Sequence, residues 1–173
     1  MQYKIFCDMD GVLVDFAGGV GRIMDVVLGY RLPYSEKLYE TDQATRDMMW
    51  HVATEYQFTH GGELWYDAQP MEDAFQLWEY ISPHGPAEIL SATGDPKFGG
   101  HDQKRRWVNN YLGEDVVVNT TIRAAEKAQH AAPNHILIDD KMKAINPWME
   151  AGGIGVLHTS AEDTIRQLKE IGL

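Results

Sequence analysis

The sequence has 173 residues, a formal net charge of −11 and an apolar content of 44%. This length fits one domain, or one domain with a modest insertion. The acidic balance argues against binding to a nucleic acid polymer or a membrane surface, which requires a basic face. No apolar run is long enough to span a membrane, no signal-peptide pattern is present, and the single cysteine, Cys7, excludes an internal disulfide. We therefore expect a cytoplasmic protein.

The first predicted element is a buried strand over residues 3–7, which is apolar and rich in β-prone side chains. Asp8, Asp10 and Gly11 follow it directly. Extended residues two apart point to the same side, so both carboxylates can face one point beyond the end of the strand. Two carboxylates aimed at one point repel each other unless a cation or a shared proton intervenes. A hard divalent ion such as Mg²⁺, which prefers oxygen ligands, is the simplest solution.

A long helical segment separates this strand from the next one. Helical spacing of apolar residues predicts helices over 20–28, 43–56 and 71–81, with a loop over 30–42. A plain strand–helix–strand connection requires far fewer residues. We therefore interpret residues 17–68 as an inserted helical cap and residues 1–16 and 69–173 as the core.

From residue 86 onwards strands and helices alternate regularly. Strands are predicted over 87–90, 115–118, 135–138 and 154–157, and the segments between and after them read as helices. Such alternation predicts a parallel sheet covered by helices on both faces.

Polar side chains follow three of the predicted strands. They are Asp8 and Asp10 after the first strand, Ser91 after the second, and Asp139 and Asp140 after a later one. The carboxyl ends of parallel strands share one edge of the sheet, where ligands bind. Together with a lysine, either Lys127 or Lys104, these groups are the parts needed to hold and attack a phosphate monoester.

The order of these motifs resembles that of the haloacid dehalogenase-like phosphohydrolases. That superfamily carries a D-x-D-G motif, a Ser or Thr after a second strand, a lysine and a later acidic pair. The matching segments are Asp8-Met9-Asp10-Gly11, Ile89-Leu90-Ser91, Lys127 or Lys104, and Ile136-Leu137-Ile138-Asp139-Asp140. The resemblance implies an α/β fold with a three-layer, Rossmann-like parallel sheet and a small inserted helical cap.

A closer resemblance is to the 5'(3')-deoxyribonucleotidases. It rests on residues 8–19, on the helix start near Pro70, on residues 104–108 before Tyr111-Leu112-Gly113, and on residues 137–141. The loop after Ser91 departs from the pattern of this family, as does most of the cap. The resemblance implies a monomeric or homodimeric enzyme acting on a small molecule, a deoxynucleoside monophosphate.

The resemblance also implies a role for each site residue. Asp8 would attack phosphorus to form an aspartyl-phosphate, and Asp10 would protonate the leaving oxygen and later activate water. Mg²⁺ would bind Asp8, the Asp10 carbonyl oxygen and Asp139 or Asp140. Ser91 would donate a hydrogen bond to the phosphate. Lys127 would neutralise phosphoryl charge, with Lys104 as the alternative.

Several residues have a plainer interpretation. Ser91 can cap a turn, Lys104 can be a solvated helix residue, and Asp140 can be the N-cap of the following helix while Asp139 alone binds metal. Four aromatic residues are candidates for a wall that stacks on a nucleobase, although aromatic side chains more often belong to a core. They are Phe16, Tyr39, Trp65 and Tyr66.

Two other functions compete with nucleotide hydrolysis. One is hydrolysis of another small phosphomonoester, such as a phosphosugar. The other is a non-catalytic binding protein that keeps the fold. A mere binding protein has no chemical need for both Asp8 and Asp10.

Overall fold

The chain forms two compact units. A computed structural model describes residues 2–173, apart from the side chain of Glu36; Met1, within the predicted core, lies outside the described residues. We call Met1–Val14 with Pro70–Leu173 the sheet unit and Asp15–Gln69 the helical unit. The predicted cap, residues 17–68, begins two residues after the start of the helical unit and ends one residue before its end.

The regular elements follow the alternation expected of an α/β protein. The strands are β1 (Lys4–Cys7), β2 (Ala87–Ala92), β3 (Val118–Thr121), β4 (His135–Asp139) and β5 (Ile154–Leu157). The α-helices are α1 (Phe16–Leu28), α2 (Glu36–Thr41), α3 (Gln43–Phe58), α4 (Ala74–Ile81), α5 (Gly100–Tyr111), α6 (Met142–Glu150) and α7 (Ala161–Ile171). Short 3₁₀ helices lie at Ser82–His84, Pro96–Phe98 and Ala124–His130. Within residues 2–173, no helix combines the length and apolarity needed to cross a bilayer.

The five strands form one sheet in the order β3-β2-β1-β4-β5, and every neighbouring pair is parallel. The predicted parallel sheet with flanking helices is therefore confirmed. From β1 the chain continues to β2 on one side, and β4 lies on the other. Because the connections diverge at this central strand, its carboxyl end borders the crevice in which open α/β sheets bind ligands.

Alternating residues of the central strands form the core. Phe6, Leu90 and Leu137 are buried together with three residues of α6, and the Phe6 ring meets the Trp148 ring edge-on with 5.5 Å between centroids. The alternate residues of β1, Ile5 and Cys7, are also fully buried. Strands buried on both faces carry nearly continuous apolar runs, and for this reason β1 and β4 can be recognised as strands from the sequence.

The helical unit contains α1, α2 and α3, followed by a segment without regular structure that ends at Gln69. The buried face of α1 includes Val20, Ile23 and Met24, and α1 packs against α3. Gly29 ends α1 in the left-handed conformation, with φ of +75°. Asp15 begins the helix: its carboxylate accepts a hydrogen bond from the Gly18 amide at 2.9 Å.

Several elements differ from the predictions: α1 begins at Phe16, β2 ends at Ala92 and α4 begins at Ala74, instead of at residues 20, 90 and 71. The helix α2 lies within the predicted loop over residues 30–42. Strand β3 begins at Val118, where the apolar pattern ends, instead of at residue 115. The segment between β3 and β4, which the sequence predicts to be helical, forms a 3₁₀ helix at Ala124–His130.

Candidate active site

The pairing of β1 and β4 brings acidic residues together at the carboxyl edge of the sheet. Cys7 and Ile138 are paired in register, and the Asp8 amide donates to the Ile138 carbonyl at 2.9 Å. Asp8 therefore follows β1 beside Asp139, the last residue of β4. Ser91 lies on β2, the other neighbour of β1, two residues after Ile89, which pairs with Cys7. Strand register alone thus assembles carboxylates and a hydroxyl from distant parts of the sequence.

Three carboxylates crowd one point at this edge. Asp8, Asp139 and Asp140 each offer an oxygen, and these three atoms lie within 4.8 Å of one another. Burial, together with the charge of Asp8, raises the pKa of Asp139 to about 6 and that of Asp140 to about 8. A bound cation would offset the electrostatic repulsion between these three carboxylates.

The donor set fits a hard divalent ion. All three groups are carboxylates, which suit Mg²⁺ or Ca²⁺ and not the nitrogen and sulfur sites typical of zinc. Asp140 Oδ1 is buried and has no hydrogen-bond partner among the described residues, while Oδ2 lies 3.2 Å from Lys141 Nζ. A buried oxygen without a donor is available to coordinate a cation.

Lys127 is buried between two of these carboxylates. Its Nζ lies 2.9 Å from Asp8 Oδ1 and 2.6 Å from Asp139 Oδ2. Burial disfavours ionisation of Asp8, but the positive charges of Lys127 and Lys104 outweigh it and lower the pKa of this carboxyl. Asp8 is therefore held as a carboxylate, the form required of a nucleophile.

Lys104 lies on the buried face of α5, and its ammonium group contacts other parts of the site. Its Nζ is 2.8 Å from both Asp10 Oδ2 and Ser91 Oγ. The side chains of Lys104 and Ser91 are fully buried. The interpretation of Lys104 as a solvated helix residue is therefore wrong. The structure brings both candidate lysines to the strand ends, each beside a different aspartate of the D-x-D-G motif.

Gly11 allows the chain to turn beside the acidic cluster. Its φ is +79°, a left-handed conformation that side chains rarely adopt. A Cβ atom at this position would lie only 2.5 Å from Asp140 Oδ2. The amides of residues 12–14 all donate to the Met9 carbonyl and close the turn. Glycine is thus required both by the backbone and by the close approach of Asp140.

Asp139 and Asp140 have different hydrogen-bond partners, and the sequence alone did not decide which of them caps the helix that follows. Helix α6 begins at Met142, and its N-cap is Lys141, not Asp140. It is Asp139 Oδ1 that accepts a hydrogen bond from the Lys141 amide, at 2.9 Å. Asp140 therefore does not cap the helix, and it belongs to the acidic cluster.

Lys141 is a site residue to which the sequence analysis assigned no role. Its Nζ lies 3.2 Å from Asp140 Oδ2, and its side chain is 24% exposed. Its position directly after the acidic pair is the signal that could have identified it.

The four predicted substrate-pocket residues all belong to the helical unit. The Phe16 and Trp65 rings stack with centroids 6.3 Å apart and planes inclined by 27°. Trp65 is buried, whereas Tyr66 is exposed over 37% of its surface. Tyr39 Oη accepts a hydrogen bond from Trp50 Nε1 at 3.2 Å. Within this unit the structure brings Phe16 and Trp65 together and places Tyr39 on α2.

Comparison by sequence gives one informative relative. A protein of Vibrio phage KVP40, whose assignment as a 5'(3')-deoxyribonucleotidase is itself inferred, is 24% identical over 139 residues. The match covers 80% of this chain and 66% of the relative, so the chain spans just under two thirds of that protein's length. No family model matches the sequence.

Comparison by structure is more decisive about the fold. A haloacid dehalogenase-like family hydrolase from Streptococcus pneumoniae has a TM-score of 0.60 at 20% identity, covering 95% of this chain and 90% of that one. A predicted phosphatase from Clostridium acetobutylicum also has a TM-score of 0.60, at 14% identity, covering 99% and 92%. The chain therefore has the haloacid dehalogenase-like fold.

Proposed function

We propose that this protein is a Mg²⁺-dependent phosphomonoester hydrolase that acts through an aspartyl-phosphate. The observation that carries the proposal is the environment of Asp8. This buried carboxylate is kept ionised by Lys127 and Lys104 at the carboxyl edge of the sheet, beside two further carboxylates. The phosphatases and hydrolases among the structural neighbours support the same class of reaction.

In the first step, an oxygen of Asp8 attacks phosphorus while the bond from phosphorus to the leaving alcohol breaks. Asp10 gives its proton to the departing oxygen. In the second step, Asp10 takes a proton from water, which attacks the aspartyl-phosphate and releases inorganic phosphate and free Asp8. Ser91 and Lys127 are proposed to bind the phosphoryl oxygens and offset their charge, with Lys104 as the alternative to Lys127.

The cation would be held by Asp8, Asp139 and Asp140, together with the backbone carbonyl of Asp10. When bound, Mg²⁺ would supply positive charge that shields the anionic substrate from the anionic nucleophile. When all four site carboxylates are ionised, their charge exceeds that of the two fully buried lysines, and Lys141, whose side chain is 24% exposed, offsets only part of the excess. This balance favours a divalent ion.

We propose a nucleoside monophosphate, in particular a deoxynucleotide, as the substrate. The inferred activity of the Vibrio phage relative supports this choice. The proposed base-binding side chains are Phe16, Tyr39, Trp65 and Tyr66, since bases stack on aromatic rings. A polar surface in their place would favour a phosphosugar.

The experiment is phosphate release from a panel of deoxynucleoside monophosphates, ribonucleotides and phosphosugars, with Mg²⁺ and with EDTA. The proposal predicts Mg²⁺-dependent release from deoxynucleotides that is lost in Asp8→Asn, which removes the nucleophile and keeps its shape. Release from phosphosugars alone would indicate that the protein is a phosphomonoesterase with a different substrate. Folded protein that binds Mg²⁺ but releases no phosphate would support a binding protein.

The base-stacking part is tested with Tyr66→Ala, because this ring is partly exposed and its removal leaves the core intact. Stacking is worth about 1–3 kcal/mol per base, so KM for nucleotides should rise roughly tenfold while KM for a phosphosugar stays constant. Tyr30→Ala is the matched control, since Tyr30 is another exposed tyrosine of the same unit. Equal effects of the two variants would refute base stacking by Tyr66.

A further inference from the structure

Lys104 occupies a position where the fold itself would favour an apolar side chain. It shares the buried face of α5 with Trp107 and Val108, and like them it is fully buried. Burying an ammonium group is unfavourable unless opposite charge and hydrogen bonds compensate for it. Leucine or methionine would pack on this face without that penalty. The lysine therefore calls for an explanation beyond the stability of the helix.

The partners of its ammonium group supply the explanation. Nζ lies 2.8 Å from Asp10 Oδ2 and 2.8 Å from Ser91 Oγ, so one cation contacts residues of two neighbouring strand ends. Asp10 has a side chain that is 23% exposed, whereas that of Lys104 is 0% exposed. A fixed, buried group thus holds a carboxylate that reaches partly into solvent.

Lys127 holds a different pair of groups. It contacts Asp8 and Asp139, the proposed nucleophile and a proposed metal ligand. Each buried lysine therefore contacts one aspartate of the D-x-D-G motif. The charge of Lys104 also helps to lower the pKa of Asp8, but its ammonium group donates hydrogen bonds to Asp10 and Ser91.

We propose that Lys104 is a positioning residue for Asp10: it fixes the direction of the Asp10 carboxylate so that this group meets the leaving oxygen. This inference rests on the proposed function. Positioning a proton donor lowers the barrier only when the departing oxygen requires a proton. The effect of Lys104 must therefore depend on the leaving group, whereas a residue that binds only phosphoryl oxygens affects all phosphomonoesters alike.

The test compares p-nitrophenyl phosphate with p-nitrobenzyl phosphate. These esters are similar in size, but p-nitrophenol leaves readily as an anion and p-nitrobenzyl alcohol requires a proton. Lys104→Met keeps much of the buried stem and removes the charge. It should lower kcat/KM for the benzyl ester roughly 100-fold and for the phenyl ester less than roughly tenfold. Lys127→Met should lower both values by the same factor.

Arg105→Met is the matched control, because it removes a positive charge from the exposed side of the same helix. It should change neither value. In an Asp10→Asn background, Lys104→Met should no longer alter the ratio of the two values, since the group that it positions has lost its proton chemistry. If Lys104→Met does not fold, Lys104→Gln replaces it, and thermal unfolding and circular dichroism identify folded variants.

Equal losses for both esters in a folded Lys104 variant would overturn the inference and leave Lys104 as a phosphate ligand or a structural residue. A change of the ratio that persists in the Asp10→Asn background would overturn it as well. Wild-type protein that hydrolyses neither ester would instead contradict the proposed function. The two failures are therefore distinguishable.

Discussion

Replacing Lys127 by methionine should destabilise the protein and make its stability depend strongly on Mg²⁺. The Nζ atom lies within 2.9 Å of Asp8 and Asp139, and all three residues are buried. Removing one partner from a buried ion pair leaves an uncompensated charge and costs about 3–5 kcal/mol. For a chain of this length, that free energy corresponds to a decrease of roughly 6–20 °C in Tm.

Magnesium should restore part of this loss. Without Lys127 the acidic cluster is more negative, so it attracts a divalent cation more strongly than the wild-type cluster does. An ion that binds only the folded state raises stability by about 2.7 kcal/mol at a hundred times its Kd. The increase in Tm on adding Mg²⁺ should thus be larger for Lys127→Met than for wild type, although phosphate release should stay at least roughly 100-fold lower.

The assay is thermal unfolding followed by circular dichroism, with and without Mg²⁺, alongside phosphate release. Lys37→Met is the control, because Lys37 is exposed on α2 and its replacement should leave both readouts unchanged. A Lys127→Met protein as stable as wild type and indifferent to Mg²⁺ would refute the proposed coupling between this lysine and the acidic cluster.

Two further predictions test the turn and the core. Gly11→Ala combines left-handed strain of about 1–2 kcal/mol with a clash against Asp140, whereas Gly29→Ala has similar strain and no atom within 4 Å of the new Cβ. Urea unfolding should show a loss of stability in both variants. Isothermal titration should show weaker Mg²⁺ binding only in Gly11→Ala. Equal Mg²⁺ affinity of the two variants would contradict this role of the turn. Burial raises the pKa of the Cys7 thiol, so alkylation by iodoacetamide followed by mass spectrometry should occur only at the rate of unfolding, and rapid labelling of folded protein would contradict a buried β1.

The sequence predicts the sheet well because its signals there are local. Strands β1 and β4 are short apolar runs; Asp8 follows β1 and Asp139 ends β4, and parallel strands must place such ends at one edge. The bounds of β5 agree with the predicted range, and α7 follows this strand as predicted, since apolar periodicity and flanking polar residues define both. The parallel α/β sheet follows from this order of elements.

Other features depend on tertiary contacts that no local pattern reveals. The apolar run at residues 116–118 suggested an earlier start for β3, but Val117 is half-exposed and pairing with β2 begins at Val118. Helix α2 has the polar sequence EKLYET, without the apolar stripe by which a short helix is recognised. The burial of Lys104 depends on Asp10, a residue 94 positions away in the chain.

The most direct test of the account is detection of the covalent intermediate. Asp10→Asn keeps the nucleophile and should slow hydrolysis of the aspartyl-phosphate, so p-nitrophenyl phosphate and Mg²⁺ should leave the protein phosphorylated after an acid quench. Peptide mapping by mass spectrometry should then locate one phosphoryl group on Asp8, and the Asp8→Asn, Asp10→Asn double variant should carry none. Steady phosphate release without any label on Asp8, or undiminished release by Asp8→Asn, would contradict the proposed mechanism.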